Sequence, residues 1–238
     1  MTAGLGFGLK NKMKTTIVYY TANVIPESFG KKVRDQLLKS ANGIPIISVS
    51  QKPIELGKNI CVGDIGRSTL NIYRQALIGA KEAKTKYIAM AEDDALYSPS
   101  HFDFVPPKDD TFYYDRNIWG IYTWTKPPVF SYKGRRNLWA LICSRDLFIR
   151  TMEERFAKYP NDDTVPLQLW GEPSKYERQL GVKVNKWKFY YANEPSIVFS
   201  HPTALGYKTL GKRKRLGEKR TEELEPWGSA EKIVSFYK

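Results

Sequence analysis

Residues 87 to 99 read YIAMAEDDALYSP, an apolar run that stops at three consecutive carboxylates, Glu92, Asp93 and Asp94. The pattern predicts a buried strand over Tyr87 to Ala91 that delivers the acidic triplet at its carboxyl end. In open α/β sheets ligands gather beyond those ends, where loops rather than packed side chains fill the space. Adjacent carboxylates repel one another and are settled by solvent, by basic neighbours or by a bound cation. An oxygen donor set favours magnesium or manganese over zinc. The plainer alternative is a solvated turn rich in Asp.

Upstream, Thr15 to Tyr20 (TTIVYY) is β-branched and aromatic and ends at Thr21, Ala22 and Asn23. Ser28 to Ser40 follows with Phe29, Val33, Leu37 and Leu38 at helical spacing. Ile44 to Val49 (IPIISV) reads as a second buried strand and Gln51 to Asn59 as loop; Ser68 to Ala83 reads as a helix carrying Leu70, Tyr73, Leu77 and Ala80 on one face. Strands alternating with helices predict parallel pairing in a doubly wound sheet over about the first hundred residues. Downstream, Asp110 to Tyr114, Ile118 to Thr123, Leu138 to Cys143 and Tyr190 to Ser200 read as strands, with helices near Arg145 to Tyr159 and Ser174 to Leu180. This mixed α+β part is expected to pack on the same sheet, giving one domain over residues 1–238.

With 42% hydrophobic and 13% aromatic residues, the 238-residue chain can bury a sizeable core, which excludes a disordered polymer. The 38 Lys and Arg against 25 Asp and Glu leave a formal charge of +13, which predicts attraction to polyanions: nucleic acid, an anionic membrane surface or phosphorylated substrates. The basic run is Lys208 to Arg220 (KTLGKRKRLGEKR), read as a solvated loop or a nucleic-acid contact. Cys61 and Cys143 sit in apolar surroundings without zinc-site spacing and are expected to be buried free thiols. No opening stretch has signal-peptide character and no transmembrane segment is foreseen, so a soluble, cytoplasmic protein is expected. Aromatics crowd the middle of the chain (Tyr113, Tyr114, Trp119, Tyr122, Trp124, Tyr132, Trp139, Trp170), and two or three of them, with Lys133, Arg135 and Arg136, are expected to face a ligand.

A first strand ending in a polar loop, the GRSTLN segment of residues 66–71, the triplet after YIAMA, the Gly171-Glu172 pair before a helix and the downstream His201 together resemble the family-2-like glycosyltransferases of the GT-A fold. The resemblance covers roughly residues 14 to 203. It implies a GT-A-like α/β fold: a mostly parallel doubly wound sheet with a mixed α+β C-terminal part. Residues 14–100 would be the nucleotide-sugar-binding half, 101–203 the acceptor side and 204–238 a basic loop and tail. The donor would be a nucleoside-diphosphate sugar and the cofactor Mn2+ or Mg2+.

Residue by residue, the resemblance sets Glu92 and Asp94 at the outer places of the family's D-x-D motif, with Asp94 a metal ligand and Glu92 or Asp93 reaching the ribose or a metal-bound water. Glu at the first place is a departure that lengthens the side chain by one methylene. His201 matches a third metal-ligand position; a backbone-satisfied histidine is the alternative, and His101 is the weaker candidate. Glu172 matches the Glu of an E-D pair and would be the general base of an inverting transfer, although Pro173 stands where the Asp would be. Pro at the first turn of a helix would set Glu172 near the N-cap. Glu177 is the alternative base. Thr21, Asn23, Asp64, Arg67 and Asn71 match positions that hold the base and ribose, and Lys212 and Arg213 belong to the lid over the diphosphate.

Three readings of the partner stand side by side. The acceptor is a nucleic acid, for instance a hydroxymethylated base in DNA of the kind some phages glycosylate, which an enzyme would have to extrude from a duplex. Alternatively it is a surface polysaccharide or lipid-linked sugar, or the chain is a non-catalytic nucleic-acid-binding protein on a degenerate transferase fold. Oligomeric state is left open.

Overall fold

The computed structural model describes residues 14–161, 164, 171–200 and 216–238. The opening run forms β1 (Thr15–Thr21), buried along its whole length as its β-branched and aromatic residues require when both faces are covered. It is followed by α1 (Glu27–Ala41), which ends on Asn42 in the left-handed conformation at φ 45° with its N–H on Leu38 O. Then come β2 (Ile46–Ser50), β3 (Lys58–Cys61), α2 (Thr69–Glu82) and β4 (Tyr87–Glu92). Ser68 caps α2 by accepting from Asn71 N at 3.1 Å.

The second half contributes β5 (Ala95–Leu96), α3 (Pro99–Phe102), β6 (Thr111–Asp115), β7 (Ile118–Tyr122), β8 (Val129–Tyr132), β9 (Leu141–Ser144), α4 (Arg145–Lys158), α5 (Glu177–Leu180), β10 (Lys186–Tyr190) and β11 (Ser196–Ser200). The short strands β12 (Arg220–Thr221), β13 (Glu223–Leu224) and β14 (Gly228–Ser229) and helix α6 (Ala230–Tyr237) follow.

The central sheet runs β10-β6-β9-β4-β1-β2-β3. β1 to β4 are parallel, β9 is antiparallel to both of its neighbours, and β10 is parallel to β6, so one reversed strand interrupts an otherwise parallel sheet. The chain is thus a mixed α/β fold with a mostly parallel central sheet. Alternation along β1 divides the core. Val18 and Tyr20 pack with Leu70, Tyr73, Ala76 and Ala80 of α2 and with Phe148 and Met152 of α4; Ile17 and Tyr19 pack with Leu37 and Ala41 of α1 on the other face. Helices cover both faces, as a doubly wound sheet requires. Gly79 marks the closest approach of α2 to β1, since a Cβ there would run into Val18 Cγ1.

The structure departs from the sequence reading at four places. The residues after position 110 do not all join one sheet: β5, β7, β8, β11 and β12 form a second sheet, ordered β12-β8-β7-β11-β5. It packs Trp119, Ile121, Phe130, Ile197 and Phe199 on Val33 of α1 and Val234 of α6. Tyr190 to Ser200 is not one strand: Tyr190 ends β10 in the central sheet, residues 191–195 are irregular, and β11 begins at Ser196 in the second sheet. The segment read as loop to Asn59 ends in an edge strand, β3, which is too exposed to carry an apolar signature. Cys61, at its end, is exposed, whereas Cys143 is buried and burial pushes its thiol pKa well up.

Candidate functional site

Strand order selects the place. The chain moves outward from β1 to β2 and β3, then returns through α2 to lay β4 on the opposite side of β1. At such a reversal the loops leave the carboxyl ends of the two strands in opposite directions and open a crevice between them. Thr21 and Asn23 leave β1 there, and Glu92, Asp93 and Asp94 leave β4.

Pairing register aims the carboxylates. Tyr20 lies opposite Glu92 in the parallel β1/β4 ladder, and its hydroxyl donates to Glu92 Oε1 at 2.8 Å on the α2 face. One residue on, the side chains point to the other face. There the Thr21 hydroxyl donates to Asp93 Oδ2. Beneath the triplet the buried Tyr97 hydroxyl accepts from Glu92 N at 3.0 Å and donates to Trp139 O at 3.1 Å. Burial, reinforced by the nearby Glu92 carboxylate, pushes the Tyr20 and Tyr97 phenols well above the ordinary value. Both stay protonated donors at neutral pH.

The crevice wall is pinned by amides. Gln75, buried on α2, donates to Thr21 O at 2.8 Å and Val49 O at 3.0 Å, tying the ends of β1 and β2 together. Asn23, at φ 53°, accepts from Gln51 N and Lys52 N at 2.8 and 2.9 Å through Oδ1. Asn71 Nδ2 donates to Ile65 O at 2.5 Å and holds the loop in which Asp64 and Arg67 are exposed. A carboxamide on an otherwise apolar helix face was the sequence signal available for Gln75.

The second sheet also reaches the triplet. β11 pairs antiparallel with β5, and Phe199 N donates to Asp94 O at 2.8 Å, so the strand ends at Ser200 beside Asp94. His201, Lys212 and Arg213 lie outside the described residues. Among the described residues, no three His, Cys, Asp or Glu side chains gather as a metal site. The carboxylate donors that are described suit a hard divalent cation by their chemistry.

Glu172 stands on the α2 side of the sheet. The buried Tyr73 phenol is driven well up by burial and then by the charge of Glu172, with Glu92 contributing from the crevice. Glu172 does not sit at a helix N-cap: α5 begins only at Glu177, and Glu172 lies in the turn before it, its Oε2 3.0 Å from Lys175 Nζ. That turn is gripped from below. Arg155 donates to Gly171 O at 2.7 Å, and Tyr114 donates to Pro173 O at 2.8 Å, so the carbonyls on both sides of Glu172 are held. Glu177, the alternative base, is buried in an ion pair with Arg155 at 2.6 Å and faces no solvent. His101 is likewise structural: fully buried, with Nδ1 2.9 Å from Asp115 Oδ2 and 3.1 Å from the Tyr190 hydroxyl.

No family profile and no curated protein matches the chain. Solved structures do align with it. A glycosyltransferase involved in glycosylation of the major capsid of PBCV-1 aligns at 13% identity over 74% of this chain and 81% of that one, with a TM-score of 0.42. The bifunctional IspDF of Campylobacter jejuni aligns at 10% identity over 76% of this chain and 50% of that one, also at 0.42. A mutant Drosophila β-1,4-galactosyltransferase 7 in complex with manganese, UDP-Gal and xylobiose aligns at 12% identity over 86% of this chain and 82% of that one, at 0.44. At such scores the description of this fold rests on its own strand order. Among the described residues no helix is long and apolar enough to cross a membrane.

Of the eight aromatics in the middle of the chain, Tyr113, Tyr114, Trp119, Tyr122 and Trp139 are buried, Trp124 and Tyr132 are half-buried, and Trp170 lies outside the described residues. The large aromatics that do face solvent include Trp187 at 40% and Tyr191 at 62% exposure, on and just after the edge strand β10.

Proposed function

We propose that the chain is a glycosyltransferase that moves a sugar from a nucleoside-diphosphate sugar to a hydroxyl acceptor with the help of Mn2+ or Mg2+. The observation that carries this reading is the acidic triplet at the β1/β4 reversal, with the end of β11 alongside it. In this reading Asp94, Glu92 and His201 hold the cation; Thr21, Asn23, Asp64, Arg67 and Asp93 hold the nucleoside; Lys212 and Arg213 hold the diphosphate. A divalent cation bound there takes up negative charge on the departing diphosphate. Tyr20 and Thr21 orient Glu92 and Asp93 by donating to them.

Glu172 takes the proton of the acceptor hydroxyl as that oxygen bonds to the anomeric carbon and the bond to the diphosphate breaks. Arg155 and Tyr114 are positioning residues for that base, acting through the carbonyls on either side of it. Residues 14–100 form the donor half and 101–203 the acceptor half of one domain, with 204–238 as lid and tail. The formal charge of +13 supports an anionic acceptor, for which a hydroxymethylated base in DNA is the specific choice.

The test is manganese-dependent release of nucleoside diphosphate from a panel of nucleotide sugars, with and without hydroxymethylated DNA. Asp94→Ala lowers release by at least about a hundredfold. Glu172→Gln lowers transfer to the acceptor by about 10²–10⁴ and spares slow donor hydrolysis. Release that is unchanged by Asp94→Ala, or absent for every donor, sinks the reading. Intact DNA binding with no release from any donor points instead to the non-catalytic alternative.

A further inference from the structure

We infer that β10, the outermost strand of the central sheet among the described residues, is a docking surface for a single-stranded polynucleotide. The inference rests on the proposed nucleic-acid acceptor only for its direction; the surface is built from residues that play no part in the donor site. β10 is the terminal strand of its sheet, and its first three residues are exposed. Trp187 and Phe189 project from the same side of the strand, 5.1 Å between ring centroids. Arg136 lies over Trp187 at 4.2 Å, and Arg116 lies over Phe189 at 5.0 Å and Tyr191 at 5.9 Å. Cations and rings therefore alternate along the edge.

The arginines are held by neutral acceptors: Arg136 donates to Ser174 O at 2.8 Å and Arg116 to the Tyr191 hydroxyl at 3.0 Å. Both acceptors are neutral, so neither of these contacts itself offsets the guanidinium charge. Lys188, between Trp187 and Phe189 in sequence, is exposed on the opposite side of the strand and takes no part in this ladder. The ladder also adjoins the candidate base. Phe189 is the register partner of Tyr114, which holds Pro173, and Arg136 grips Ser174, two residues beyond Glu172.

Charge complementarity and ring exposure together select the occupant. Phosphates answer the arginines, while unstacked bases answer the faces of Trp187 and Tyr191, a pairing that proteins binding single strands without sequence preference exploit. A duplex hides its base faces, and a polyanion without bases has nothing to stack.

The experiment measures binding of labelled oligothymidylate, of a duplex of equal length and of polyphosphate to the full chain. The expected order is oligothymidylate tightest. Trp187→Ala combined with Tyr191→Ala should weaken oligothymidylate binding at least about tenfold and leave polyphosphate binding unchanged. Trp187→Phe, which keeps a ring face and leaves the Tyr191 hydroxyl on Arg116, should retain the affinity. Asp94→Ala should leave it unchanged too, so failure of the transferase reading shows in donor turnover and failure of this one in binding. Equal affinity for polyphosphate and oligothymidylate, preference for the duplex, or indifference to loss of both rings overturns the inference.

Discussion

Two groups of carboxylates in this molecule are alike in residue type and opposite in circumstance. Glu92 and Asp93 leave a strand end half-exposed and accept hydroxyl donors from Tyr20 and Thr21. Glu177 and Asp115 are buried, the one on Arg155 at 2.6 Å and the other on His101 at 2.9 Å. The first group sits where strand order opens a crevice; the second sits where an unpaired charge would be costly and a partner has been built in. Acidic residues near a motif are therefore not interchangeable candidates. Glu177 supports the turn that Glu172 occupies.

The broadest way to break this contrast uses the phenols common to both regions. Tyr20 and Tyr97 under the crevice and Tyr73 and Tyr114 near Glu172 are all pushed well up, chiefly by burial. A raised folded-state pKa gives stability that is complete below the unfolded value of about 10 and lost as pH rises beyond it. Denaturation midpoints should therefore stay insensitive to these groups up to about pH 10 and fall above it. Phenol ionisation near pH 10 with the fold intact would show that neither region is closed to water.

Next in size is Arg155→Ala, which strands Glu177 and releases Gly171 O; a loss of about 3–5 kcal/mol in urea unfolding is expected. Replacing both partners by apolar residues of similar volume should recover most of it, because the pair's attraction largely offsets its own desolvation. Tyr97→Phe removes an acceptor from Glu92 N and a donor to Trp139 O, at an expected cost of about 1–3 kcal/mol. A cost near zero would mean that the crevice floor is wetter than the buried ring implies. The smallest effect belongs to Lys175→Ala. Its pair with Glu172 is partly exposed, so stability should change by less than about 1 kcal/mol, while transfer to the acceptor, if Glu172 is the base, should respond measurably.

Much of the fold was legible. The strands at Thr15, Ile46, Tyr87 and Thr111 and the helices at Glu27, Thr69 and Arg145 match their expected spans within two residues, because continuous burial or helical spacing marks each one. β3 was not legible, being an exposed edge held by backbone pairing to β2. The break at residues 191–195 was obscured because Tyr191 and Ala192 continue the apolar run of β10 toward Ile197, which belongs to the second sheet.

The site divides in the same way. An apolar run ending in three carboxylates is enough to foresee a strand that presents them at its carboxyl end, since hydrophobic burial and the cost of desolvating charge act on neighbouring residues alone. Which β1 residue meets which carboxylate, that Arg155 and Tyr114 hold the turn around Glu172, and that Trp187 rather than Trp139 faces solvent are settled by register and strand order. Those join residues 16 to 75 positions apart through pairing that no local pattern encodes.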